Sequence, residues 1–372
     1  MKKFFRFAVF AMMLAPVALT SCDDDDDKGG NGNGVSVSRA EEVVVTTQYV
    51  NAVVEPIYKD LKEKNQALYE AVLALKNDPT QDKMDACADA WLSARQPWES
   101  SEAFLFGPVN VLSKDPNMDS WPLNETEIQT VINSGDFTVI EGDEEVNQNI
   151  KGFHTLEYLI YYGGDVRQVT STEVSQPNWI NYMVAVAKLL AEDAEELYKV
   201  WFEENTTGEF GNMIYKTYFI ENYNNPIAQI LEGCSDIANE VGESKIGGPY
   251  NMYPDDPTQA VLEVESWYSW HSREDYKNNI RSILYSYMGQ GYPEAEVTEA
   301  AENSVSNLVK SKLGAERNEQ ILAAINGAIE AIDNIQQPFR NNIRTAQVAT
   351  AMEKCSDLQN ELDKLVAELG LN

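Results

Sequence analysis

The chain has 372 residues, with 28 basic and 60 acidic side chains and a formal net charge of −32. Nucleic acid and anionic membrane surfaces repel such an acidic chain, so binding to either through a basic face is excluded. The length suits one large domain or two ordinary ones, with enough residues for a sizeable core.

The N-terminus predicts an export signal and a lipid anchor. The segment "MKKFFRFAVFAMMLAPVALTSC" places basic residues before an apolar run that is too short to span a bilayer. Its Leu-Thr-Ser-Cys ending resembles the bacterial lipobox, so residues 1–21 are expected to be a signal peptide and Cys22 the acylated first residue of the mature chain. An ordinary cleaved signal with a chance cysteine is the alternative.

Residues 22–40 are expected to form a tether. Their "DDDDDKGGNGNG" tract cannot bury apolar area, and an acidic run directly after the lipidated cysteine resembles the signal that sends Bacteroidetes lipoproteins to the cell surface. The expected location is therefore the outer membrane of the cell envelope, with attachment through acyl chains such as palmitate. Pairing among Cys87, Cys234 and Cys355 stays open because their number is odd.

From Glu41 onward the apolar pattern is helical. Apolar residues recur at mostly four- and seven-residue spacing from Val45 to Leu75, and in steps of four and three from Val348 to Leu369. Further helices are predicted over residues 81–105, 145–162, 176–205, 209–242, 259–288, 293–312 and 315–334. The segment "DFTVIEG" at 136–142 is the only predicted strand, so the fold class is all-α.

Two short segments predict an internal duplication. "WESSEAF" at 98–104 and "WHSREDY" at 270–276 share Trp, Ser, Glu and an aromatic residue at an offset of 172. The predicted architecture is two helical bundles, residues 41–206 and 207–372, packed side by side. Chance identity is the alternative.

The segment "NIKGFHTLEYLIYYGG" contains His154, one of two histidines in the chain. On a helical wheel, His154 and Glu157 form a stripe at the edge of the apolar arc, so a half-buried position between core and cleft is predicted. Gly152 is a poor helix residue and lets another backbone come close. In the alternative interpretation His154 donates to a carbonyl and Glu157 is solvated.

Two more segments carry polar stripes. Arg95, Glu99 and Glu102 fall at i, i+4 and i+7 of a predicted helix, where two carboxylates repel each other unless a cation lies between them. That cation is either Arg95, in a surface salt bridge, or a bound ligand. His271 and Asp275, at i and i+4, either coordinate jointly or form an exposed local pair.

Four ordered segments resemble the imelysin family of bacterial envelope proteins, also described as insulin-cleaving membrane protease-like or iron-regulated protein A-like. They are "ARQPWESSEAFLFGPV", "SWPL", "GFHTLEYLIYYGGD" and "SWHSREDYKNNIRSILYSYMG". The resemblance runs from about Glu41 to the C-terminus, and Gly152, His154 and Glu157 match the GxHxxE signature of the family. It implies two helical bundles that arose by duplication, with the signature near their interface, and a link to iron-dependent uptake. Trp270 and Arg273 depart from the pattern expected around His271.

The expected function is binding of a metal ion, iron first, or of a small ligand in a cleft between the bundles, with delivery to an uptake partner. Mixed oxygen and nitrogen donors suit iron. The candidate ligand-binding residues are His154, Glu157, Glu102, Glu99, Arg95, His271 and Asp275.

Two other functions remain open. In a zinc peptidase, His154, Glu157 and His271 would be the ligands, with Glu102 as general base and Arg95 as oxyanion stabiliser. The lack of an HExxH motif and of strand ends that frame a groove makes an enzyme the less favoured interpretation. A structural surface protein without a ligand is the third interpretation, because every polar stripe can also be a salt bridge.

Overall fold

A computed structural model describes residues 35–142, 145–203 and 210–371. The predicted signal peptide, Cys22 and most of the predicted tether lie outside these residues. Among the residues that are described, none of the helices has the length and apolar character needed to cross a bilayer.

The described chain is almost entirely helical, which confirms the predicted fold class. In chain order the α-helices are α1 Arg39–Tyr49, α2 Glu55–Asn77, α3 Gln81–Glu99, α4 Pro108–Val111, α5 Lys114–Met118, α6 Glu125–Ser134, α7 Gly152–Ile160, α8 Trp179–Phe202, α9 Tyr215–Glu221, α10 Pro226–Asn239, α11 Gly247–Met252, α12 Pro257–Leu262, α13 Ser272–Met288, α14 Val305–Leu313, α15 Ala315–Asp333 and α16 Ala346–Glu368. Short 3₁₀ segments lie at Glu102–Phe104, Thr138–Ile140, Glu145–Ile150 and Phe339–Asn341, and π-helical turns at Val50–Val54 and Glu240–Ile246.

The long first helix begins at a capping box. Ser38 N donates to the Glu41 carboxylate at 2.9 Å, and Glu41 N donates to Ser38 Oγ at 3.4 Å. The π-helical turn then joins α1 to α2 without a break, and the apolar face of the combined helix is buried at Tyr49, Ile57 and Leu61. The predicted periodicity therefore marks one buried face along both helices.

The helices pack in two groups. In the first, α2 packs against α3 and α8, and α8 packs against α7. In the second, α16 packs against α10 and α15, and α13 packs against α15. The groups meet where α3 contacts α13 and where the 3₁₀ turn Glu102–Phe104 contacts α10 and α13. The boundary predicted after residue 206 falls among residues that are not described, so the two domain ranges stay a prediction.

Three helices predicted as continuous are interrupted, because local backbone conformation overrides the apolar pattern. Lys151 is extended and separates the 3₁₀ segment Glu145–Ile150 from α7. Asn225, with φ 51°, precedes Pro226 at the start of α10. Between α12 and α13 the chain turns at Ser266 and Trp270, which have φ values of 51° and 62°. The helix predicted from 293 begins only at α14, where Ser304 caps it.

The predicted strand at 136–142 is wrong. Asp136 Oδ1 accepts hydrogen bonds from Thr138 N at 3.1 Å and from Thr138 Oγ1 at 2.7 Å, and this local bonding favours a turn. The described residues contain two short strands elsewhere, β1 Tyr161–Tyr162 and β2 Asp165–Val166, which pair antiparallel. They follow directly after α7.

The two tryptophans that suggested the duplication do not occupy matching positions. Trp98 is buried in the last turn of α3, whereas Trp270 is 39% exposed and lies in the turn before α13. At an offset of 172 residues the last turn of α3 therefore aligns with a turn and not with a helix, and the duplication stays a prediction.

Candidate metal site

The candidate site lies where α3 meets α13, and Arg95 of α3 is at its centre. The Arg95 side chain is fully buried. Its Nη2 donates to Glu265 Oε1 at 2.8 Å and its Nε to Asp275 Oδ2 at 3.3 Å, while Nη1 forms an ion pair with Asp119. Arg95 also pairs with Glu99. The surface salt bridge considered from the sequence is thus a buried network, in which unpaired charge is costly.

His154 enters this network from α7 because of Gly152. Gly152 has φ 84°, and a Cβ atom there would overlap the carbonyl oxygen of Met118. This close approach brings the first turn of α7 against the segment that carries Asp119. His154 is fully buried rather than half-buried as predicted.

The two imidazole nitrogens of His154 have different partners. Nδ1 lies 3.1 Å from Glu157 Oε2, whereas Nε2 lies 3.1 Å from Asp119 Oδ1 and 3.4 Å from both Glu265 Oε1 and Arg95 Nη2. The Trp121 ring covers the imidazole, with 5.0 Å between ring centroids. The other Glu157 oxygen, Oε1, accepts hydrogen bonds from Ser269 N and Oγ, each at 2.8 Å. Both oxygens of Glu157 therefore have protein partners, and one of them orients His154.

Asp119 and Glu265 complete the site and were missed from the sequence. Asp119 directly precedes the quoted "SWPL", and Glu265 lies in the turn between α12 and α13. Neither belongs to a helical stripe, so periodicity gave no signal for them. The sequence signal that could have indicated Asp119 is its position next to SWPL, one of the four segments that resemble the imelysin family.

Asp119, His154 and Glu265 form one of the side-chain groups that could hold a metal ion. One ligand atom from each side chain lies within 4.8 Å of the others. Donors about 2.1 Å from a common ion lie roughly 3.0–3.4 Å apart, which matches the His154 distances to both carboxylates. Glu265 Oε2 is buried and accepts no hydrogen bond among the described residues, and it lies 3.4 Å from Lys245 Nζ. Two carboxylates and one imidazole suit iron or another borderline cation.

The pKa values reflect competition between burial and the neighbouring charges. Burial and Arg95 lower the pKa of His154, but Asp119 and Glu157 outweigh them and hold it well above its usual range. Burial raises the pKa of Glu265, yet Lys245 and His154 bring it down to about 2. The pKa of Asp119 is also lowered, because Arg95 and His154 overcome the effect of burial. These pKa shifts favour the imidazolium form of His154 and the ionised forms of Asp119 and Glu265.

Glu99 and Glu102 have a different character. α3 ends at Glu99, so Glu102 lies on the following 3₁₀ turn and not on the predicted common stripe. Both Glu99 oxygens are engaged, one by Arg95 and one by Asn279. Glu102 Oε1 lies 3.7 Å from Lys245 Nζ. Burial raises the pKa of both carboxyl groups well above the usual range, which favours their neutral forms.

His271 lies at the edge of the network. It is the residue before α13, not a member of that helix, and its Nε2 is 3.7 Å from Asp275 Oδ1. Asp275 is buried and pairs with Arg95. Among the described residues, the groups able to hold a metal are Asp119–His154–Glu265 and Glu99–Glu102–Asp119, and neither contains His271 or Glu157. The His154–Glu157–His271 zinc set considered from the sequence is not brought together.

A groove of about 870 Å³ lies next to the site, with Tyr158, Tyr162, Trp267 and Tyr268 in its wall. None of the predicted site residues lines it. The Trp121 ring contacts both the imidazole of His154 and Tyr268 of the groove wall, with ring centroids 5.0 and 5.9 Å away. The titratable cluster is thus a buried site beside a groove, not the lining of this groove.

The chain is similar to several proteins of known sequence or structure. An iron-regulated protein A from Synechococcus elongatus is 26% identical over 257 residues, which span 67% of this chain and 66% of that protein. A crystal structure from Parabacteroides distasonis, of a protein assigned as an iron-regulated protein A precursor, is 32% identical with a TM-score of 0.83, covering 91% of this chain and 97% of that one. An imelysin-like protein from Psychrobacter arcticum shares the fold at 13% identity and a TM-score of 0.68, covering 91% and 98% of the two chains.

The family model for imelysin matches residues 54–369, which include every residue of the candidate site. With the helical fold and the match to the GxHxxE signature, this extent shows that the chain belongs to the imelysin family.

Proposed function

We propose that this protein binds a divalent metal ion, iron(II) first, at Asp119, His154 and Glu265, and that it serves iron uptake at the cell envelope. The observation that carries the proposal is the convergence of one imidazole nitrogen and two carboxylates at 3.1 and 3.4 Å in a buried position. Asp119 and Glu265 supply charge, and His154 supplies the nitrogen donor that favours iron over calcium or magnesium.

Glu157 acts on the site through His154. A metal-bound imidazole usually donates its other N–H to a carboxylate, which fixes the ring and strengthens the donor. The 3.1 Å contact from His154 Nδ1 to Glu157 Oε2 has this arrangement. His154 Nε2 is then the atom for which a proton and a metal ion compete.

The assignment of iron is supported by the donor atoms of the site and by the names of two similar proteins. Two relatives are named iron-regulated protein A. This name says that iron regulates the protein and does not say what the protein binds. The mixed donor set at the site supports a role in handling the metal itself. The ion is the cargo in this proposal, and an uptake system of the envelope is the partner that receives it.

The envelope location rests on the N-terminal sequence. The lipobox-like Leu19-Thr20-Ser21-Cys22 and the acidic run after it support a lipoprotein of the outer membrane, facing outward. Replacing Cys22 by Ser should release the protein from membranes and end its labelling by radioactive palmitate. Wild-type protein that never takes up the label would refute the anchor.

Metal titration tests the proposed site. Calorimetry on the purified full-length chain at pH 7.5, with Mn²⁺ and with anaerobic Fe²⁺, should detect binding that His154→Ala abolishes. His271→Ala is the matched control, because it removes the only other histidine and should leave binding intact. If the two variants bind alike, or if wild type binds neither ion, the buried cluster is a structural ion network without this function.

A further inference from the structure

Arg95 and Lys245 both pair with the buried carboxylates, and they differ in burial and in the length of their contacts. Arg95 is fully buried and pairs with four carboxylates, those of Glu99, Asp119, Glu265 and Asp275. The side chain of Lys245 is 10% exposed, and its Nζ lies 3.4 Å from Glu265 Oε2 and 3.7 Å from Glu102 Oε1. Charge-assisted hydrogen bonds are usually about 2.7–2.9 Å long, so the Lys245 contacts are loose.

The backbone that carries Lys245 is anchored, whereas the contacts of its ammonium group are long and include a hydrogen bond to Glu265 Oε1 at 3.5 Å. Lys245 lies on the π-helical turn Glu240–Ile246, and its carbonyl oxygen accepts a hydrogen bond from Tyr276 Oη at 3.2 Å. π-Helical turns are rare and are frequent at functional sites. A four-carbon stem on a fixed backbone lets the ammonium change partners without movement of the helix.

Lys245 and a metal ion would compete for the same carboxylate. Glu265 Oε2 forms an ion pair with Lys245 and accepts no hydrogen bond among the described residues. Glu265 Oε1 is already within reach of Arg95 and His154. A cation bound by Glu265 therefore gains an oxygen if the ammonium moves away, and Glu102 Oε1, 3.7 Å from the ammonium, offers it another oxygen acceptor.

We propose that Lys245 is a displaceable internal cation that occupies Glu265 until a divalent ion replaces it, and so determines the affinity and the charge selectivity of the site. This inference rests on the proposed metal-binding function. Exchanging the ammonium beside Glu265 for a monovalent ion adds no charge at that carboxylate, whereas exchanging it for a divalent ion adds one unit. Sodium and potassium ions are thereby excluded, at the cost of weaker divalent binding.

Replacing Lys245 tests the idea directly. Lys245→Met keeps most of the unbranched stem and removes the competing charge, so Mn²⁺ should bind at least about tenfold more tightly, because a unit charge about 4 Å away remains significant even at a high effective dielectric constant. A second measurement replaces a bulky organic cation in the buffer by sodium at constant ionic strength. Sodium should inhibit Mn²⁺ binding to Lys245→Met and not to wild type. Lys245→Arg keeps the charge and should bind no more tightly than wild type.

Lys216→Met is the matched control, because it removes the same charge at a lysine that pairs with Glu55 at 2.8 Å, away from the site residues. It should bind Mn²⁺ like wild type. Unchanged or weaker binding by folded Lys245→Met, beside measurable wild-type binding, overturns the role of Lys245 and leaves the metal site standing. If neither wild type nor Lys245→Met binds Mn²⁺, both proposals fail. Circular dichroism of each variant establishes that it is folded.

Discussion

Glu157 lies one helical turn after His154 on α7, and its Oε2 is 3.1 Å from His154 Nδ1. Its second oxygen accepts two hydrogen bonds from Ser269, in the turn before α13. The GxHxxE signature thus has a physical basis in this chain. One end of the Glu157 carboxylate holds the imidazole, and the other ties α7 to the second group of helices.

Removing the Glu157 carboxylate should weaken metal binding without removing a ligand. Glu157→Ala is expected to lower Mn²⁺ affinity about 10- to 100-fold, as for other partners that orient a metal-bound histidine. Glu157→Gln should lose less, because its amide oxygen still accepts from Nδ1. Titration calorimetry measures both, with the exposed Glu63→Gln as a control for net charge. Equal affinities for wild type and Glu157→Ala would show that His154 does not depend on this contact.

Metal binding should release a proton at neutral pH. An ordinary histidine ligand would lose its affinity near pH 6.5, the usual pKa of this side chain. Burial and Arg95 lower the pKa of His154, but Asp119 and Glu157 raise it well above that value, so the loss of affinity begins at higher pH. Affinity should therefore increase steadily from pH 6 to 8. Calorimetry in buffers of different ionisation enthalpy should count about one proton per ion at pH 7. Zero protons released would exclude His154 Nε2 as the ligand.

Replacing Glu102 by the neutral Gln should not destabilise the fold. Burial raises its pKa well above the usual range, so the folded state binds a proton that the unfolded state releases. Its contribution to stability is present below the unfolded pKa and is lost as the pH rises through the folded pKa. Glu102→Gln should therefore unfold like wild type at pH 4 and be more stable by about 1 kcal/mol or more at pH 8.5. Urea unfolding at both pH values measures this difference, and a destabilised variant at pH 8.5 would mean that the Lys245 ion pair outweighs burial.

Gly152→Ala should disturb both stability and the site. The residue has φ 84°, and its new methyl group would overlap the Met118 carbonyl, which pushes α7 away from Asp119. We expect a loss of about 1–3 kcal/mol in the free energy of unfolding, together with weaker Mn²⁺ binding. Gly163→Ala is the matched control, because Gly163 has φ 64° but no heavy atom within 4 Å of the added methyl group. Equal effects of the two substitutions on Mn²⁺ binding would argue against a specific role for the close approach.

The sequence by itself determined the elements and part of the site. Apolar periodicity predicts the all-α fold, since a helix that buries one face must repeat its apolar residues every three or four positions. The three-residue spacing also brings His154 and Glu157 onto one face of α7, because i and i+3 are neighbours on any helix. Arg95 and Glu99 contact each other for the same reason, one turn apart on α3.

Only the tertiary structure decided what these pairs face. Glu265 reaches Arg95 across 170 residues of sequence, from a turn shaped by positive φ at Ser266 and Trp270. Asp119 and Lys245 also lie outside the predicted stripes, on a loop and on a π-helical turn. Periodicity reports which face of one element is buried, whereas the partner of that face depends on loop conformation and on packing between elements. A stripe that resembled a surface salt bridge in sequence is therefore a buried, charge-rich site in the folded chain.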